Sequence, residues 1–239
     1  MPDVWDDVAR WWVDAVRDDP ANSTDFHSLL DELLGHVEHG RRGDGLTLDV
    51  GCGEGQAMRA IDGSVIGTDV SMELLRHARS AGPVVCGRLP DLSWARSGAF
   101  DRAVCVSVLE VVADHRALFR ELHRVTRRGG RLFAVANHPV VTAPYAEPLV
   151  DPDGEILWSW GRYLEPGPIE QELGGHTVVL HHRPFGELLT AAATAGWQLE
   201  RLVEHGPSAA TRDRYPEYHG QRQVPVLLGA IWRSDPDTG

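Results

Sequence analysis

The stretch "LTLDVGCGEGQAMRAIDGSVIGTDVS", residues 46–71, places a glycine-dense turn between two apolar runs. Asp49 lies near the end of the first run and Asp69 at the end of the second. Similar short apolar runs alternate with helical patterns further along the chain, which predicts an α/β fold with a mainly parallel sheet. Ligands of such sheets bind at the carboxyl ends of the strands. The sequence therefore predicts a ligand site at this turn.

The turn favours a ligand that bears an amine and a ribose over a dinucleotide. The dinucleotide fingerprint is G-x-G-x-x-G, whereas residues 51–55 read G-C-G-E-G and Asp49 precedes the first glycine by two positions. A carboxylate repels a pyrophosphate but forms a charge-assisted hydrogen bond with an ammonium group. Asp69 is placed to accept both hydroxyls of an unphosphorylated ribose.

Composition excludes several classes of partner. The chain has 239 residues and 42% hydrophobic content, which suits one domain with a full core. Its 35 acidic and 23 basic residues give a net charge of −12, which argues against a nucleic-acid partner. No apolar run has the length of a membrane span, and "MPDVWDDVAR" lacks the order of a secretory signal. We expect a cytoplasmic protein with no membrane partner and no metal. Its three cysteines, at positions 52, 86 and 105, are expected to be reduced and mostly buried.

Apolar periodicity predicts two helices before the first strand and seven strands outside residues 139–182. The expected strands are "LTLDV", "SVIGTD", "PVVCG", "DRAVCVSV", "RLFAVAN", "WQLERLVE" and "VPVLLGAIW". Ser71 and Asp114 are expected to cap two of the intervening helices, and Gly129 with Gly130 to end the second of them. The loop before the last strand shows no helical pattern. Because a parallel crossover would need a longer connection, we expect the last strand to pair antiparallel.

Residues 139–182 are rich in proline and aromatic residues, which is typical of a lid or binding loop. Strand alternation in "ILWSWGRYL" puts Ile156, Trp158 and Trp160 on one face. "HTVVLHH", residues 176–182, is expected to pair with that strand. The chain is thus expected to form one domain with four segments, a helical cap over 1–45, a cofactor-binding core over 46–138, a lid over 139–182, and a C-terminal helix with two strands over 183–239.

Four segments resemble, in order and spacing, the motifs of class I S-adenosylmethionine-dependent methyltransferases. They are "LDVGCGEG", "GTDVS", "FDRAVCVSVLEVVAD" and "LFRELHRVTRRGGRLFAVAN". "HHRPFGELLTAAATAGWQLERLVE" resembles small-molecule members more weakly. The resemblance implies a Rossmann-like, doubly wound, seven-stranded sheet with its last strand antiparallel. It also implies methyl transfer from S-adenosylmethionine to a small molecule, with S-adenosylhomocysteine as the product. A secondary metabolite is the expected acceptor, because the aromatic residues of 139–182 suggest a flat or apolar substrate surface. We expect a monomer or homodimer.

The resemblance also assigns residues to the cofactor. It places the methionine moiety near Asp49, Gly51, Cys52, Gly53 and Gly55, the ribose at Asp69, the adenine between Val70 and Met72, and the sulfonium above Val106 and Ser107. Arg88 stands where many relatives have an acidic residue, so the backbone of Leu89 is expected to meet the adenine instead. Trp12, with its neighbour Trp11, either covers the cofactor or packs in the core.

The acceptor side rests on fewer signals. His138, His181 and His182 are the candidate general bases, with His182 the first choice. Tyr145, Trp158 and Trp160 are expected either to offer an apolar surface to the acceptor or to form a small core within the lid. The acceptor atom stays open among oxygen, nitrogen, sulfur and carbon. Two alternatives remain, a protein that binds S-adenosylmethionine for a non-methylating or regulatory purpose, and a nicotinamide-dependent oxidoreductase.

Overall fold

The computed structural model describes residues 3–17, 20–37 and 45–235. Helix α1 spans Val4–Trp11 and continues into a π-helical turn over Trp12–Val16, and α2 spans Pro20–Val37. Asp3 caps α1, since its carboxylate accepts the Trp5 amide at 3.1 Å. Both helices expected before the first strand are confirmed. None of the described helices is long and apolar enough to cross a membrane.

The remaining elements alternate between strands and helices. The strands are β1 Leu46–Val50, β2 Ser64–Asp69, β3 Val84–Cys86, β4 Phe100–Val106, β5 Thr126–Asn137, β6 Glu147–Val150, β7 Ile156–Ser159, β8 Gly167–Leu173, β9 His176–His182, β10 Trp197–His205 and β11 Leu227–Ser234. The helices are α3 Gln56–Ala60, α4 Met72–Ala78, α5 His115–Val125, α6 Pro139–Thr142, α7 Phe185–Thr194 and α8 Ala209–Arg214.

Seven strands form the central sheet in the order β10-β11-β5-β4-β1-β2-β3. The pairs formed among β1 to β5 are parallel, whereas β11 runs antiparallel to both β5 and β10. The predicted fold class, including the reversed last strand, is confirmed. The chain order reverses between β1 and β4, and the edge beside these two strands is where ligands of open α/β sheets bind.

Helices cover both faces of the sheet. On one face, Phe119 of α5 packs edge-to-face against Trp232 of β11, with ring centroids 5.7 Å apart. On the other face, Leu29 and Leu33 of α2 join a cluster with Phe133 of β5. All five side chains are buried, so each face of the sheet excludes water.

The expected helix caps are confirmed, but the expected helix stop is wrong. The Ser71 hydroxyl accepts the Leu74 amide at 3.2 Å, and the Asp114 carboxylate accepts the Ala117 amide at 2.8 Å. Helix α5 ends at Val125, before Gly129 and Gly130 are reached. The two glycines instead lie within β5, where the register between β4 and β5 shifts. Strand pairing to β4 therefore ends the helix earlier than its glycine signal indicates.

The expected pairing within residues 139–182 is also wrong. β7 pairs with β6, and β9 pairs with β8, so "ILWSWGRYL" and "HTVVLHH" belong to different hairpins. Tight turns over residues 151–154 and at Gly174–Gly175 let each strand pair with its neighbour in sequence. The short helix α8 lies in the loop where no helix was expected. Ser208 caps it by accepting the Thr211 amide at 3.1 Å, and six residues are too few for a visible apolar period.

Only one of the two hairpins packs onto α1. Val8 of α1 is fully buried against Val178 and Leu180 of β9. At the β8–β9 turn, a Cβ added to Gly174 would lie 2.4 Å from the Trp11 ring, so backbone and indole are in close contact. We call α1 together with the β8–β9 hairpin, residues 167–182, the roof. The β6–β7 hairpin is not part of the roof.

Candidate active site

The glycine-dense turn after β1 adopts backbone angles that favour glycine. Gly51, Gly53 and Gly55 have φ values of 65°, 54° and 88°. A Cβ on Gly51 would lie 2.3 Å from a methyl carbon of Val108, whereas a Cβ on Gly53 would meet nothing within 4 Å. Gly53 therefore faces open space, and Gly51 permits close packing beneath it. Ser107, just past β4, also has a positive φ of 54°, a strained conformation that is common at functional sites.

A cavity of about 840 Å³ lies between this turn and the roof. Its lining includes the following residues assigned above to the cofactor: Trp12, Asp49, Gly51, Cys52, Gly53, Asp69, Val70, Arg88, Leu89, Val106 and Ser107. Gly55 and Met72 do not line it. Gly55 is the N-cap of α3, and the Met72 side chain is 41% exposed. We call the part built by residues 49–54, 69–74 and 87–89 the cofactor half.

Two buried carboxylates in the cofactor half have an oxygen without a hydrogen-bond partner in the described part of the chain. They are Asp49 through Oδ2 and Glu54 through Oε1. Burial, followed by the charges of Asp69 and Glu54, raises the pKa of Asp49 to about 8. Glu54 forms an ion pair with Arg59 through its other oxygen. Because these carboxylates repel one another, the cofactor half suits a ligand that brings positive charge, such as one with an ammonium and a sulfonium group.

Asp69 is held between two elements of the cofactor half. Its Oδ2 accepts the Gly53 amide at 2.9 Å, and its Oδ1 accepts the Ser71 amide at 2.8 Å. Burial raises its pKa even though these hydrogen bonds favour the charged form. Each oxygen retains a lone pair, so a pair of ribose hydroxyls finds two acceptors in a fixed position.

Polar contacts fasten α1 to the cofactor half. Asp6 accepts a hydrogen bond from the Ser71 hydroxyl at 2.8 Å. Asp3 forms an ion pair with the exposed side chain of Arg88. The ion pair of Arg88 thus connects the loop after β3 to the start of α1. The cavity beside this loop is lined by the apolar side chains of Val70 and Leu89.

Cys52 is a packing residue at this turn. Desolvation, with the charges of Asp49 and Asp69, raises the pKa of its thiol. The thiolate that a nucleophile needs is therefore disfavoured. Within the described residues, no group of three or more His, Cys, Asp or Glu side chains is arranged to hold a metal ion.

The three candidate bases do not line the cavity. His182 is 1% exposed, with Nδ1 3.1 Å from the Thr142 hydroxyl and Nε2 2.8 Å from the Tyr163 carbonyl oxygen. In His138, Nδ1 accepts the Val140 amide at 3.1 Å and Nε2 lies 2.8 Å from a Glu204 oxygen. Both rings are thus engaged in structural hydrogen bonds. Desolvation lowers the pKa of each, which further disfavours the imidazolium.

The third histidine and the lid aromatics also lie outside the cavity. His181 is adjacent in β9 to Leu180, which does line the cavity, so its side chain points to the opposite face. Trp158 stacks on Tyr218, with ring centroids 6.0 Å apart. Tyr145 and Trp160 are 70% and 61% exposed. The structure therefore places these four side chains outside the cavity, although the sequence predicted that they line the acceptor site.

The cavity has a second group of lining residues. The cavity is also lined by Glu110, Val111, Asn137, Gln171, Leu173, Leu180, Arg214 and Tyr215, and we call the part built by these residues the acceptor half. Glu110 carried a sequence signal, since it is a carboxylate within the apolar run "VCVSVLEVV" directly after β4. The others come from four separate parts of the chain, and no local pattern marked them.

Comparison with known proteins identifies the family. The methyltransferase domain family matches residues 48–134. The crystal structure of an S-adenosylmethionine-dependent methyltransferase from Mesorhizobium loti superposes with a TM-score of 0.69 at 29% identity, over 85% of this chain and 97% of that one. Residues 48–134 therefore belong to the methyltransferase domain family, and the chain as a whole is similar to S-adenosylmethionine-dependent methyltransferases. Members of this family use S-adenosylmethionine as cosubstrate, and the buried carboxylates of the cofactor half fit it.

Curated relatives of this methyltransferase match over a shorter length. Trans-aconitate 2-methyltransferase from Methylobacterium radiotolerans is 30% identical over 177 residues, which cover 64% of this chain and 66% of that protein. A ubiquinone biosynthesis O-methyltransferase from Idiomarina loihiensis is 29% identical over 140 residues, covering 53% and 55%. The methyltransferase thus spans between half and two thirds of the length of these relatives.

Proposed function

We propose that this methyltransferase transfers the methyl group of S-adenosylmethionine to a small molecule by in-line displacement. The single observation that carries the proposal is one cavity that joins the carboxylates of the cofactor half to an acceptor half beneath the same roof. Its volume of about 840 Å³ lies within the range of small-molecule sites. A shared cavity lets the protein hold an acceptor atom on the far side of the methyl group, which is the main requirement of such a displacement.

In this proposal each half has its own task. Asp49 and Glu54 hold the ammonium group, Asp69 holds the ribose hydroxyls, and Val70 with Leu89 encloses the adenine. These contacts are charge-assisted or apolar, and none of them involves a covalent bond between the protein and the cofactor. The roof excludes water from the acceptor, which strengthens every electrostatic contact beneath it.

The acceptor proposed is a small metabolite, and a secondary metabolite fits the proposal. The acceptor half combines apolar Leu173 and Leu180 with polar Asn137, Gln171 and Arg214, a mixture that suits a compact and partly polar molecule. Two relatives are named for trans-aconitate and for ubiquinone biosynthesis, which supports a metabolite as substrate class. The net charge of −12 disfavours a nucleic-acid acceptor.

Mass spectrometry of the protein purified from its host tests the proposal first. We expect bound S-adenosylmethionine or S-adenosylhomocysteine, which would show that the cavity holds this cofactor, while the transfer itself is tested in the next step. The second step incubates the protein with methyl-labelled S-adenosylmethionine and a small-molecule extract of the source organism. We expect label in a metabolite. Binding of S-adenosylmethionine with no label transferred would favour a non-methylating or regulatory role, and calorimetry that shows binding of NADH alone would favour an oxidoreductase.

A further inference from the structure

Glu110 lies in the turn after β4 and lines the acceptor half. Its Oε1 accepts two hydrogen bonds from Asn137 at the end of β5, from Nδ2 at 2.8 Å and from the backbone amide at 3.3 Å. Its Oε2 is buried and has no hydrogen-bond partner in the described part of the chain. Because an unpaired buried carboxylate oxygen costs free energy, this atom suits a donor that a ligand supplies.

The backbone around Glu110 is held from the end of β9. The His181 amide donates to the Glu110 carbonyl oxygen at 2.6 Å. The buried guanidinium of Arg183 donates to three carbonyl oxygens of the same turn, those of Leu109 and Val112 at 2.6 Å and that of Ala113 at 2.8 Å. Because the backbone of Glu110 and its Oε1 atom are both held by hydrogen bonds, the Oε2 atom has a defined position.

The electrostatic surroundings of Glu110 favour proton uptake. Burial raises the pKa of its carboxyl, while the Asn137 hydrogen bonds and the charge of Arg183 oppose that shift. A carboxylate with a raised pKa is a better proton acceptor than one in water. After desolvation, Glu110 and then Asp49 are the main causes that raise the pKa of the buried Cys105 thiol, so both carboxylates lie near the end of β4.

Glu110 differs in chemistry from the other polar side chains of the acceptor half. Arg214, also in the acceptor half, has only N–H donors, and the Tyr215 hydroxyl is both a donor and an acceptor. His27 lines the cavity at the other end, beside Glu54 and Gln56. Of the described residues in the acceptor half, Glu110 alone is a carboxylate.

We propose that Glu110 is a catalytic residue whose Oε2 accepts a hydrogen bond from an O–H or N–H group of the acceptor and takes its proton during transfer. The proposal rests on the methyltransferase function proposed above. As the bond from the acceptor oxygen or nitrogen to the methyl carbon forms, the carbon–sulfur bond breaks and its electron pair stays on sulfur. The proton passes from the acceptor to Oε2 and later to water. The acceptor class is therefore a hydroxyl or amine, not a thiolate or an activated carbon.

Glu110→Gln tests the proposal, because it keeps the side-chain shape but removes the proton-accepting charge. Glu200→Gln is the matched control, since Glu200 pairs with Arg131 at the far side of the sheet, outside the cavity. The assay measures transfer from methyl-labelled S-adenosylmethionine to a small-molecule extract of the source organism. We expect Glu110→Gln to lower the transfer rate by about 100- to 10,000-fold, the usual contribution of a general base, and the control to match wild type.

Two further readouts separate a catalytic role from a structural one. The affinity for S-adenosylhomocysteine, measured by calorimetry, should stay within about twofold of wild type, the margin for a residue that does not contact the ligand. The Tm of Glu110→Gln should equal or exceed that of wild type, because an unpaired buried charge has been removed.

The outcomes are distinct. An unchanged transfer rate in Glu110→Gln, a label found on sulfur or carbon, or a fall in Tm with a parallel loss of S-adenosylhomocysteine affinity would each overturn the role of Glu110 and leave the methyltransferase function standing. A wild-type protein that binds S-adenosylhomocysteine yet labels nothing would instead overturn the proposed function, and the role of Glu110 with it.

Discussion

The two halves of the cavity are built in different ways. The cofactor half is assembled mainly by one continuous stretch, in which Asp49 and Asp69 end adjacent parallel strands and a backbone hydrogen bond from Gly53 joins the turn to Asp69. The acceptor half draws Glu110, Asn137 and Gln171 from segments far apart in the chain. A site made by one local motif is visible in the sequence, whereas a site made by tertiary packing is not.

The largest effect on cofactor affinity is expected from Asp69→Ala, which changes the cofactor half. If both oxygens of Asp69 hold ribose hydroxyls, the variant should lose about 2 to 4 kcal/mol of S-adenosylhomocysteine binding free energy, the range for charged hydrogen bonds. Folding should change little, which thermal unfolding would check. Asp31→Ala, an exposed change on α2, serves as control. Unchanged affinity in a folded Asp69→Ala protein would remove Asp69 from the site.

Arg183→Met should disturb the structure of the acceptor half and leave that of the cofactor half unchanged. The variant leaves the carbonyl oxygens of Leu109, Val112 and Ala113 without their donor, so we expect a loss of about 2 to 3 kcal/mol in the free energy of unfolding. Methyl transfer should fall more than S-adenosylhomocysteine affinity, because the turn that carries Glu110 loosens. Arg120→Met on the exposed side of α5 is the matched control. Equal losses of both quantities would mean that the two halves are not independent.

Asp49 makes the cofactor half sensitive to pH. Because its pKa is raised to about 8 in the folded protein, Asp49 becomes charged only as pH rises toward 8. The affinity for S-adenosylhomocysteine, which has an ammonium group, should therefore increase by up to about 50-fold between pH 6 and 8, because the charged fraction of a group with this pKa rises from about 1% to about 50% over that range. Asp49→Asn should bind more weakly at pH 8 and show a flatter profile. Calorimetry at several pH values measures both, and equal profiles would mean that the carboxylate serves only the turn.

The same shift predicts a change in stability. A carboxyl whose pKa is raised on folding stabilises the fold while it is protonated, so the free energy of unfolding of the ligand-free protein should fall as pH rises from about 4 to 8. Asp49→Asn should remove that part of the decline. Tm values of both proteins at pH 6 and 8, without ligand, provide the measurement.

The smallest effect on transfer is expected from Trp158→Ala, which the sequence had assigned to the acceptor. The structure places this indole against Tyr218 and the Val140 carbonyl oxygen, outside the cavity. Transfer should stay within about twofold of wild type, while the lost aromatic contact lowers stability by about 1 kcal/mol. Trp11→Ala, which opens the roof, should impair transfer more. A reversed order of the two effects would place the acceptor near the β6–β7 hairpin.

The sequence by itself determined the sheet and the cofactor half. Strand periodicity, the positions of Asp49 and Asp69, and the cap residues Ser71 and Asp114 act over a few residues, so the local chain dictates them. The antiparallel direction of the last strand was also predicted correctly from the loop that precedes it. That loop contains the short helix α8, which the sequence did not predict.

Only the tertiary structure decided which parts of residues 139–182 reach the cavity. The residue types of the insertion predicted a lid, but two tight turns paired β6 with β7 and β8 with β9, and burial of Val178 and Leu180 against Val8 selected the second hairpin as the roof. The same packing placed His182 among structural hydrogen bonds and left Glu110 with an unpaired oxygen beside the cavity. Long-range contacts depend on which apolar surfaces bury each other, and no local pattern records that choice.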